Sequence, residues 1–272
     1  MTSERPETLH IGSEATEVEI DTRRGGRIAQ ITFRGVELLI GKDSARPLGD
    51  PMRWGCYPMA PWAGRIREGR FEFDGHVHQL PVDDDGHAIH GVGYTSAWSI
   101  GDHTPTSLEL SLELPTDGTW PFGGNAHQRI SVDGDGDGDG EEIVLELAVT
   151  ADDQPFPAVV GWHPWFRKPD RLQFNPVAMY RRVDGIAIDE RIDAQPGPWD
   201  DCFVNVEPVL VTINGIRVRL TSDCTEWVVY DQPEHATCIE PQSGPPDAFN
   251  IRPDVLEPGQ TLSRSFRIGL AR

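Results

Sequence analysis

The chain has 272 residues, and its 44 acidic side chains against 24 basic ones give a formal net charge of −20. A surface this negative repels nucleic acid and anionic membranes at long range, so the sequence predicts neither as a partner. No apolar run approaches the roughly 20 residues of a membrane-spanning helix, and the first residues lack the basic and apolar regions of a signal peptide. We therefore expect a cytoplasmic protein, and the sequence leaves open whether it is a monomer or a homodimer.

The chain contains four cysteines, Cys56, Cys202, Cys224 and Cys238, and no two of them form a CxxC pair. Small secreted domains held by disulfides and common zinc sites both show closer and more regular spacings. The pattern therefore predicts free thiols, with no disulfide framework and no metal centre.

Polar and apolar residues alternate along most of the chain, which is typical of strands with one buried face. Residues 70–80 and 209–220 each contain two such runs joined by Asp-Gly or Asn-Gly, which predicts two hairpins. Residues 107–114 (SLELSLEL) and 143–150 (IVLELAVT) each place aliphatic side chains on one face, and residues 262–270 predict a closing strand.

No segment keeps the 3.6-residue period of an amphipathic helix over three turns, and proline interrupts most candidates. The sequence also shows no internal repeat and no linker long enough to divide it. It predicts a single all-β domain over residues 1–272, a large antiparallel sandwich whose loops build a cleft, with residues 1–8 as a loose tail.

The acidic segment 133–142 (DGDGDGDGEE) contains a formal match to the EF-hand calcium loop that would use Asp135, Asp137, Asp139 and Glu146. An EF-hand needs flanking helices, whereas both flanks of this segment alternate like strands. We therefore interpret the segment as an acidic hairpin tip.

Three groups of histidines are candidates for chemistry. His163 lies in the apolar and aromatic run 157–166, where a buried, hydrogen-bonded histidine and a functional imidazole are equally compatible with the pattern. His90 is followed by a glycine, which allows backbone or ligand to approach closely. His76 and His78 share a strand face and could in principle hold a metal, but no third ligand is near, which favours a solvated hairpin.

Three acidic residues are candidates for chemistry, and one of them, Glu240, lies where an apolar strand meets a loop, a common place for catalytic groups. Glu240 follows an apolar strand and precedes a Pro/Gly-rich loop, and Asp200 and Asp201 follow Trp199. Taken alone, each position is better explained by a loop carboxylate that caps backbone amides. The chain has no GxSxG elbow, P-loop, GxGxxG, HExxH or CxxC motif, so triad hydrolases, nucleotide binding and common zinc chemistry have no support.

Taken together, five short segments resemble the aldose 1-epimerase (galactose mutarotase) family, in order and over nearly the whole chain. They are Gly64-Arg65-Ile66 with Gly69-Arg70-Phe71, Ile89-His90-Gly91, Gly161-Trp162-His163-Pro164-Trp165-Phe166, Trp199-Asp200-Asp201-Cys202-Phe203, and Glu240-Pro241-Gln242 with Pro246-Asp247-Ala248-Phe249. Each segment alone is unspecific, and the five in register carry the resemblance.

The resemblance implies the galactose mutarotase-like β-supersandwich and an enzyme that interconverts α and β anomers of a free hexose without a cofactor or metal. It implies that Glu240 is the general base and His163 the general acid. It also implies that Arg65, His90 and Asp200 hold the sugar hydroxyls. A small-molecule sugar is then the expected partner.

Two positions depart from the family pattern. Gly64 stands where the family usually has asparagine before the motif arginine, and His163-Pro164-Trp165 replaces the commoner His-Ser-Tyr. The first removes a polar contact, and the second removes a hydroxyl and enlarges an aromatic wall. Both affect the expected choice of sugar more than the chemistry.

Mutarotation needs one acid and one base at the anomeric hydroxyl and the ring oxygen, which a carboxylate and an imidazole can supply. The rigid guanidinium fork of Arg65 suits a pair of hydroxyls. A tryptophan is expected to stack on the apolar face of the sugar, and the sequence does not distinguish Trp62, Trp98 and Trp162, each of which could equally belong to the core.

Two alternative functions remain open from the sequence. A hexose-6-phosphate 1-epimerase would need an extra cation, for which Arg53, Arg67 and Arg167 are candidates. A catalytically silent carbohydrate-binding domain would use the same fold without the reaction, since fold does not determine function. The presence of both Glu240 and His163 favours an enzyme.

Overall fold

A computed structural model describes residues 8–134 and 141–271. The strands up to the acidic segment and just beyond it are β1 (Thr8–Gly12), β2 (Thr16–Asp21), β3 (Arg27–Phe33), β4 (Val36–Glu37), β5 (Cys56–Met59), β6 (Arg65–Ile66), β7 (Arg70–Phe73), β8 (His76–Gln79), β9 (Ala88–Ile89), β10 (Ser99–Thr104), β11 (Ser107–Glu113), β12 (Asn125–Gly134) and β13 (Glu141–Thr150). Short 3₁₀ turns lie at Lys42–Ser44 and Arg67–Gly69.

The later strands are β14 (Phe156–Ala158), β15 (Gly161–Arg167), β16 (Arg171–Gln173), β17 (Ala178–Val183), β18 (Ile186–Ile192), β19 (Asp200–Val204), β20 (Val209–Ile213), β21 (Ile216–Ser222), β22 (Glu226–Tyr230), β23 (Ala236–Gln242), β24 (Asp254–Leu256) and β25 (Thr261–Leu270). A single α-helical turn, α1 (Ala248–Ile251), lies between β23 and β24. No helix in the described part of the chain is long and apolar enough to cross a membrane.

Two large sheets form the molecule. The eleven-stranded sheet has the order β1-β2-β3-β5-β15-β23-β22-β19-β17-β18, with β4 paired to β3, and the eight-stranded sheet has the order β10-β11-β12-β13-β25-β21-β20-β16. The pairs β6-β9, β7-β8 and β14-β24 form small separate ribbons. All pairs of these strands within residues 8–134 and 141–271 are antiparallel. The all-β antiparallel prediction is therefore confirmed, with α1 as the helical exception.

The two large sheets meet through aromatic side chains. Trp162 of β15 and Trp227 of β22 lie with their ring centroids 5.9 Å and 6.1 Å from that of Phe266 on β25. Because successive side chains of a strand point to opposite faces, the residues that follow or precede these tryptophans face away from the other sheet. The large sheet therefore has one face in the core and one face free to build a site.

Both predicted hairpins are present. β7 pairs with β8, and β20 pairs with β21 through Asn214 and Gly215, which have φ values of 48° and 79°. Positive φ at both central residues is the backbone of a type I′ turn, which explains the Asn-Gly signal. Thr8, predicted to belong to the loose tail, is instead the first residue of β1.

The flanks of the acidic segment are strands, as predicted. β12 and β13 pair along their length, and Glu146 lies inside β13, 3.8 Å from Arg129 on the neighbouring strand. Asp135, Asp137 and Asp139 lie outside the described residues, so the hairpin-tip interpretation of residues 135–140 stays a prediction.

The core between the sheets generates a stability prediction. Leu147 of β13 is fully buried, whereas Leu48 is 75% exposed in a loop. Leu147→Ala should lower the free energy of unfolding by about 2–5 kcal/mol, because removing buried methyl groups loses transfer free energy and leaves a cavity. Chemical denaturation measures the change, with Leu48→Ala as the matched control of much smaller effect. Equal losses in the two variants would contradict this packing.

Candidate active site

Two neighbouring strands of the large sheet bring the predicted acid and base together. β15 and β23 pair at Gly161↔Gln242 and again at Trp165↔Cys238. That register places His163 directly opposite Glu240 on the neighbouring strand, with both side chains on the face that points away from the core. Two motifs almost 80 residues apart in the sequence thus become cross-strand neighbours.

Prolines follow both residues in the middle of the sheet, where proline is rare because it cannot donate to the ladder. Pro164 follows His163, and Pro241 follows Glu240. The β15–β23 ladder has no pairs between those at Gly161 and Trp165. The two prolines have no amide hydrogen, which explains this gap in the ladder. The gap lies beside the His163–Glu240 pair.

The carboxylate of Glu240 is held at both oxygens. Its Oε1 lies 3.2 Å from Nε2 of His163, and its Oε2 accepts a hydrogen bond of 3.3 Å from Nε2 of Gln242. Only 3% of the Glu240 side chain and 7% of the His163 side chain are exposed. This degree of burial decides the protonation of the pair, since desolvation penalises the charged form of both groups.

The pKa values of the two groups move in opposite directions. Burial raises the pKa of the Glu240 carboxyl well above its usual value, and the negative charge of Asp200 adds to the rise, while Arg65 and Gln242 oppose it. Burial lowers the pKa of the His163 imidazole to about 3. Both shifts favour the uncharged forms, a carboxyl on Glu240 and a neutral imidazole on His163, between which a proton can pass.

Aromatic rings fix the orientation of the imidazole of His163. Tyr57 of β5 stacks on it with ring centroids 4.8 Å apart, and Trp165 stacks on it at 5.6 Å with an interplanar angle of 9°. His90 meets it edge to face at 4.9 Å. These contacts leave the ring little freedom to rotate, as a proton-transfer group requires.

His90 reaches the site from a strained backbone. Its φ is 59°, an uncommon value for a residue with a side chain, and its amide donates to the carbonyl of Gly64 at 3.0 Å. A Cβ on Gly91 would lie 2.1 Å from the carbonyl oxygen of Ala60, so only glycine fits after His90. The His90-Gly91 motif is thus explained by close backbone approach.

Gly64, the first departure from the family pattern, has a packing reason. Its φ is +68°, and a Cβ at this position would lie 3.1 Å from three atoms of Pro246. Pro246 therefore occupies the space that a side chain at position 64 would need. The next residue, Arg65, projects its guanidinium into the cavity, with one nitrogen 3.6 Å from the Asp85 carboxylate.

Asp200 lines the far side of the site and is held by Arg182. Nη1 of Arg182 lies 3.0 Å from Oδ2 of Asp200 and also donates to the Asp200 carbonyl, while its Nε lies 3.5 Å from Asp201. Asp200 on β19 pairs with Tyr230 on β22. The carboxylate is therefore held at the cavity wall by an ion pair.

A cavity of about 270 Å³ joins these groups, and all five predicted site residues line it: Arg65, His90, His163, Asp200 and Glu240. This volume is at the small end of the range for small-molecule pockets, which suits a monosaccharide better than an extended glycan. Among the buried atoms without a hydrogen-bond partner in the described part of the chain, Nδ1 of His90 and Oε1 of Gln242 belong to residues that line this cavity. Both are available for hydroxyl groups.

The three tryptophans considered from the sequence belong to the core. Trp62, Trp98 and Trp162 are at most 4% exposed and do not line the cavity. The tryptophan that lines it is Trp165, two residues after His163 on the same face of β15. The same two-residue spacing places Gln242 beside Glu240. The alternation of side chains along a strand is therefore the sequence signal that could have identified Trp165 and Gln242.

Other cavity residues had no signal in the sequence. Tyr57 and Arg182 come from β5 and β17, and only the strand order brings them to the site. Of the three arginines considered for a phosphate, Arg53 lines the cavity. Arg67 lies 3.7 Å from Asp247, and Arg167 pairs with Glu37, both away from the cavity lining.

The paired histidines His76 and His78 do not belong to this site. His78 stacks on Phe71 with centroids 5.1 Å apart, and His76 is exposed on β8. Within residues 8–134 and 141–271, neither is part of a cluster with metal-ligand geometry. His76 is exposed, as the interpretation of this segment as a solvated hairpin predicts. His78 instead packs on an aromatic ring.

Residues 7–269 match the family model described as aldose 1-epimerase. The chain belongs to the aldose 1-epimerase family. The resemblance seen in the five motifs is therefore confirmed over nearly the whole chain.

Individual proteins and solved structures are similar to this chain. The uncharacterized protein YihR of Escherichia coli K12 is 25% identical over 275 residues, which cover 85% of this chain and 82% of YihR. A crystal structure of an E. coli K12 protein provisionally named an aldose 1-epimerase matches with a TM-score of 0.81 at 20% identity, covering 96% and 97% of the two chains. Galactose 1-epimerase of Lactobacillus acidophilus NCFM matches with a TM-score of 0.78 at 16% identity, covering 98% and 96%. The predicted galactose mutarotase-like fold is confirmed.

The protonation of the buried pair can be measured directly. The imidazole nitrogens of His163 should show no protonation midpoint between pH 5 and pH 8 by nuclear magnetic resonance, because burial lowers the pKa of this ring to about 3. His163→Asn assigns the signals by their loss. A midpoint near the value of about 6.5 for an imidazole in water would contradict the buried, neutral state.

Proposed function

We propose that this family member is an aldose 1-epimerase that interconverts the α and β anomers of a free hexose. The observation that carries the proposal is the contact of 3.2 Å between Glu240 Oε1 and His163 Nε2 on the wall of a monosaccharide-sized cavity. A carboxyl and an imidazole that share one proton can supply an acid and a base in the same encounter.

The reaction needs a proton to leave the anomeric hydroxyl while another reaches the ring oxygen. Moving the shared proton from Glu240 to His163 gives a carboxylate beside an imidazolium. The carboxylate then takes the proton of the anomeric hydroxyl as the imidazolium protonates the ring oxygen, and the C1–O5 bond breaks to give the open aldehyde.

Rotation about the C1–C2 bond presents the other face of the aldehyde. Closure then reverses the roles: His163 takes the proton from the O5 hydroxyl as O5 attacks C1, and Glu240 returns a proton to the former carbonyl oxygen. The pair ends with the one proton with which it began, so the enzyme needs no further proton donor to turn over.

Binding groups surround this pair. Arg65, His90 and Asp200 face the cavity with donor and acceptor atoms for sugar hydroxyls, and Gln242 carries a buried unpaired Oε1 next to the base. Trp165 offers an indole face for the apolar side of a sugar ring. These groups are on strands and short ribbons of the scaffold, which favours a preorganised site.

The charge of the cavity favours a neutral sugar over a phosphorylated one. Three arginines face five acidic residues around it: Arg53, Arg65 and Arg182 against Asp83, Asp85, Asp200, Asp201 and Glu240. Each of these arginines already has a carboxylate within 3.6 Å. A dianionic phosphate would have to displace those pairs and approach further carboxylates, which costs electrostatic free energy.

Glu240→Gln should reduce the enzymatic rate of anomer exchange by about 10²–10⁴-fold, because the amide cannot exchange the proton. Polarimetry of freshly dissolved α-glucose or α-galactose measures the rate after subtraction of the uncatalysed reaction. Glu72→Gln, an exposed substitution of the same type on β7, is the matched control and should keep full activity.

Full activity of Glu240→Gln would remove this residue from the mechanism. A wild-type protein that binds sugar without accelerating anomer exchange would instead identify a catalytically silent carbohydrate-binding domain.

Comparison of glucose with glucose 6-phosphate tests the choice of a free sugar. We expect kcat/KM to be at least about tenfold lower for the phosphorylated sugar, because like charges in the cavity oppose it. Arg53→Gln is expected to leave this preference in place. A preference for glucose 6-phosphate that is lost in Arg53→Gln would establish the hexose-6-phosphate 1-epimerase instead.

The cytoplasmic location and the monomeric or dimeric state remain predictions from the sequence.

A further inference from the structure

Cys238 lies beside the proton-transfer pair and has no part in the reaction described above. It precedes Glu240 by two residues on β23 and therefore points to the same face of the strand. The ligand-type atoms of His163, Cys238 and Glu240 all lie within 4.8 Å of one another, and all three residues are buried. Sulfur, nitrogen and oxygen donors thus converge at one place, with His163 and Glu240 on the cavity wall and Cys238 buried beside them.

We propose that His163, Cys238 and Glu240 form an inhibitory site for a borderline-soft divalent cation such as Zn²⁺ or Cd²⁺. A thiolate, an imidazole and a carboxylate are the donors that Zn²⁺ accepts, at about 2.0–2.3 Å each. With atoms already within 4.8 Å, side-chain rotations of about an ångström bring all three to bonding distance.

The fourth tetrahedral position would face the cavity, because His163 and Glu240 both line it. A water molecule or a sugar oxygen can occupy that position, as in zinc sites that keep three protein ligands. Hard cations such as Mg²⁺ prefer all-oxygen ligands, so the thiol and imidazole discriminate against them.

Binding at this site would be reversible. A thiol and a carboxyl coordinate a cation only after they release their protons to solvent, which weakens binding relative to a resident metal centre.

The inhibition rests on the proposed function, because the metal would occupy both proton carriers of the reaction. With its Nε2 or its carboxylate oxygen bound to the cation, neither His163 nor Glu240 can pass a proton to the sugar. Zn²⁺ should therefore stop anomer exchange, whereas Mg²⁺ at the same concentration should not.

The experiment measures anomer exchange in a chelator-treated protein as Zn²⁺ is added, for wild type, Cys238→Ser, Cys238→Ala and Cys224→Ala. Cys224 is a buried thiol outside the cluster and is the matched control. Loss of one ligand should raise the half-inhibitory Zn²⁺ concentration by at least about tenfold in both Cys238 variants and leave it unchanged in Cys224→Ala. Each variant is compared with its own metal-free rate, so differences in that rate cancel.

A spectroscopic measurement separates failure of this site from failure of the proposed function. Cd²⁺ added to the wild-type protein should produce a thiolate-to-metal charge-transfer band that persists in Cys224→Ala and is lost in Cys238→Ala. This readout does not require activity. Its first result comes from the wild-type protein and therefore does not depend on the folding of any variant. Absence of the band in wild type, or equal Zn²⁺ inhibition of wild type and both Cys238 variants, would overturn the proposal.

Discussion

The site depends on one buried contact, the approach of the Glu240 carboxyl to the His163 imidazole across two strands. Burial disfavours charge on each group separately, so it raises the pKa of the Glu240 carboxyl and lowers that of the His163 imidazole relative to the same groups in water. The surrounding structure maintains this state. Tyr57 and Trp165 stack against the imidazole, and Gln242 holds the second carboxylate oxygen.

The large sheet holds the two side chains of this contact in fixed positions. Its core face is packed through Trp162 and Trp227 against the second sheet, and alternation along the strands sends His163 and Glu240 to the opposite face. Pro164 and Pro241 interrupt the ladder at this place without separating the strands, because the pairs at Gly161 and Trp165 close it on either side. A pair of side chains on the central strands of a sheet is held more rigidly than a pair on loops.

One wall of the cavity comes from a separate ribbon, and the opposite wall comes from further strands of the large sheet. Gly64, Arg65 and His90 form one side through the β6–β9 ribbon, where the positive φ of His90 and the absence of a side chain at Gly91 allow a close approach. Arg182 and Asp200 form the other side through their ion pair. The balance of these charges favours a neutral ligand, although the arginines alone would attract an anion.

The sequence by itself determined the strand pattern, both hairpins, and the five motif residues that now line one cavity. Local rules suffice for the strands and hairpins, since alternation and turn residues depend only on neighbours in the chain, whereas the motif residues were identified by the resemblance to the family. The sequence did not determine which tryptophan faces the cavity, that Gly64 makes room for Pro246, or that Cys238 lies beside His163 and Glu240. Those facts depend on strand order and register, which bring residues such as Tyr57, Arg182 and Cys238 together from distant segments, and only the tertiary structure decides such non-local pairings.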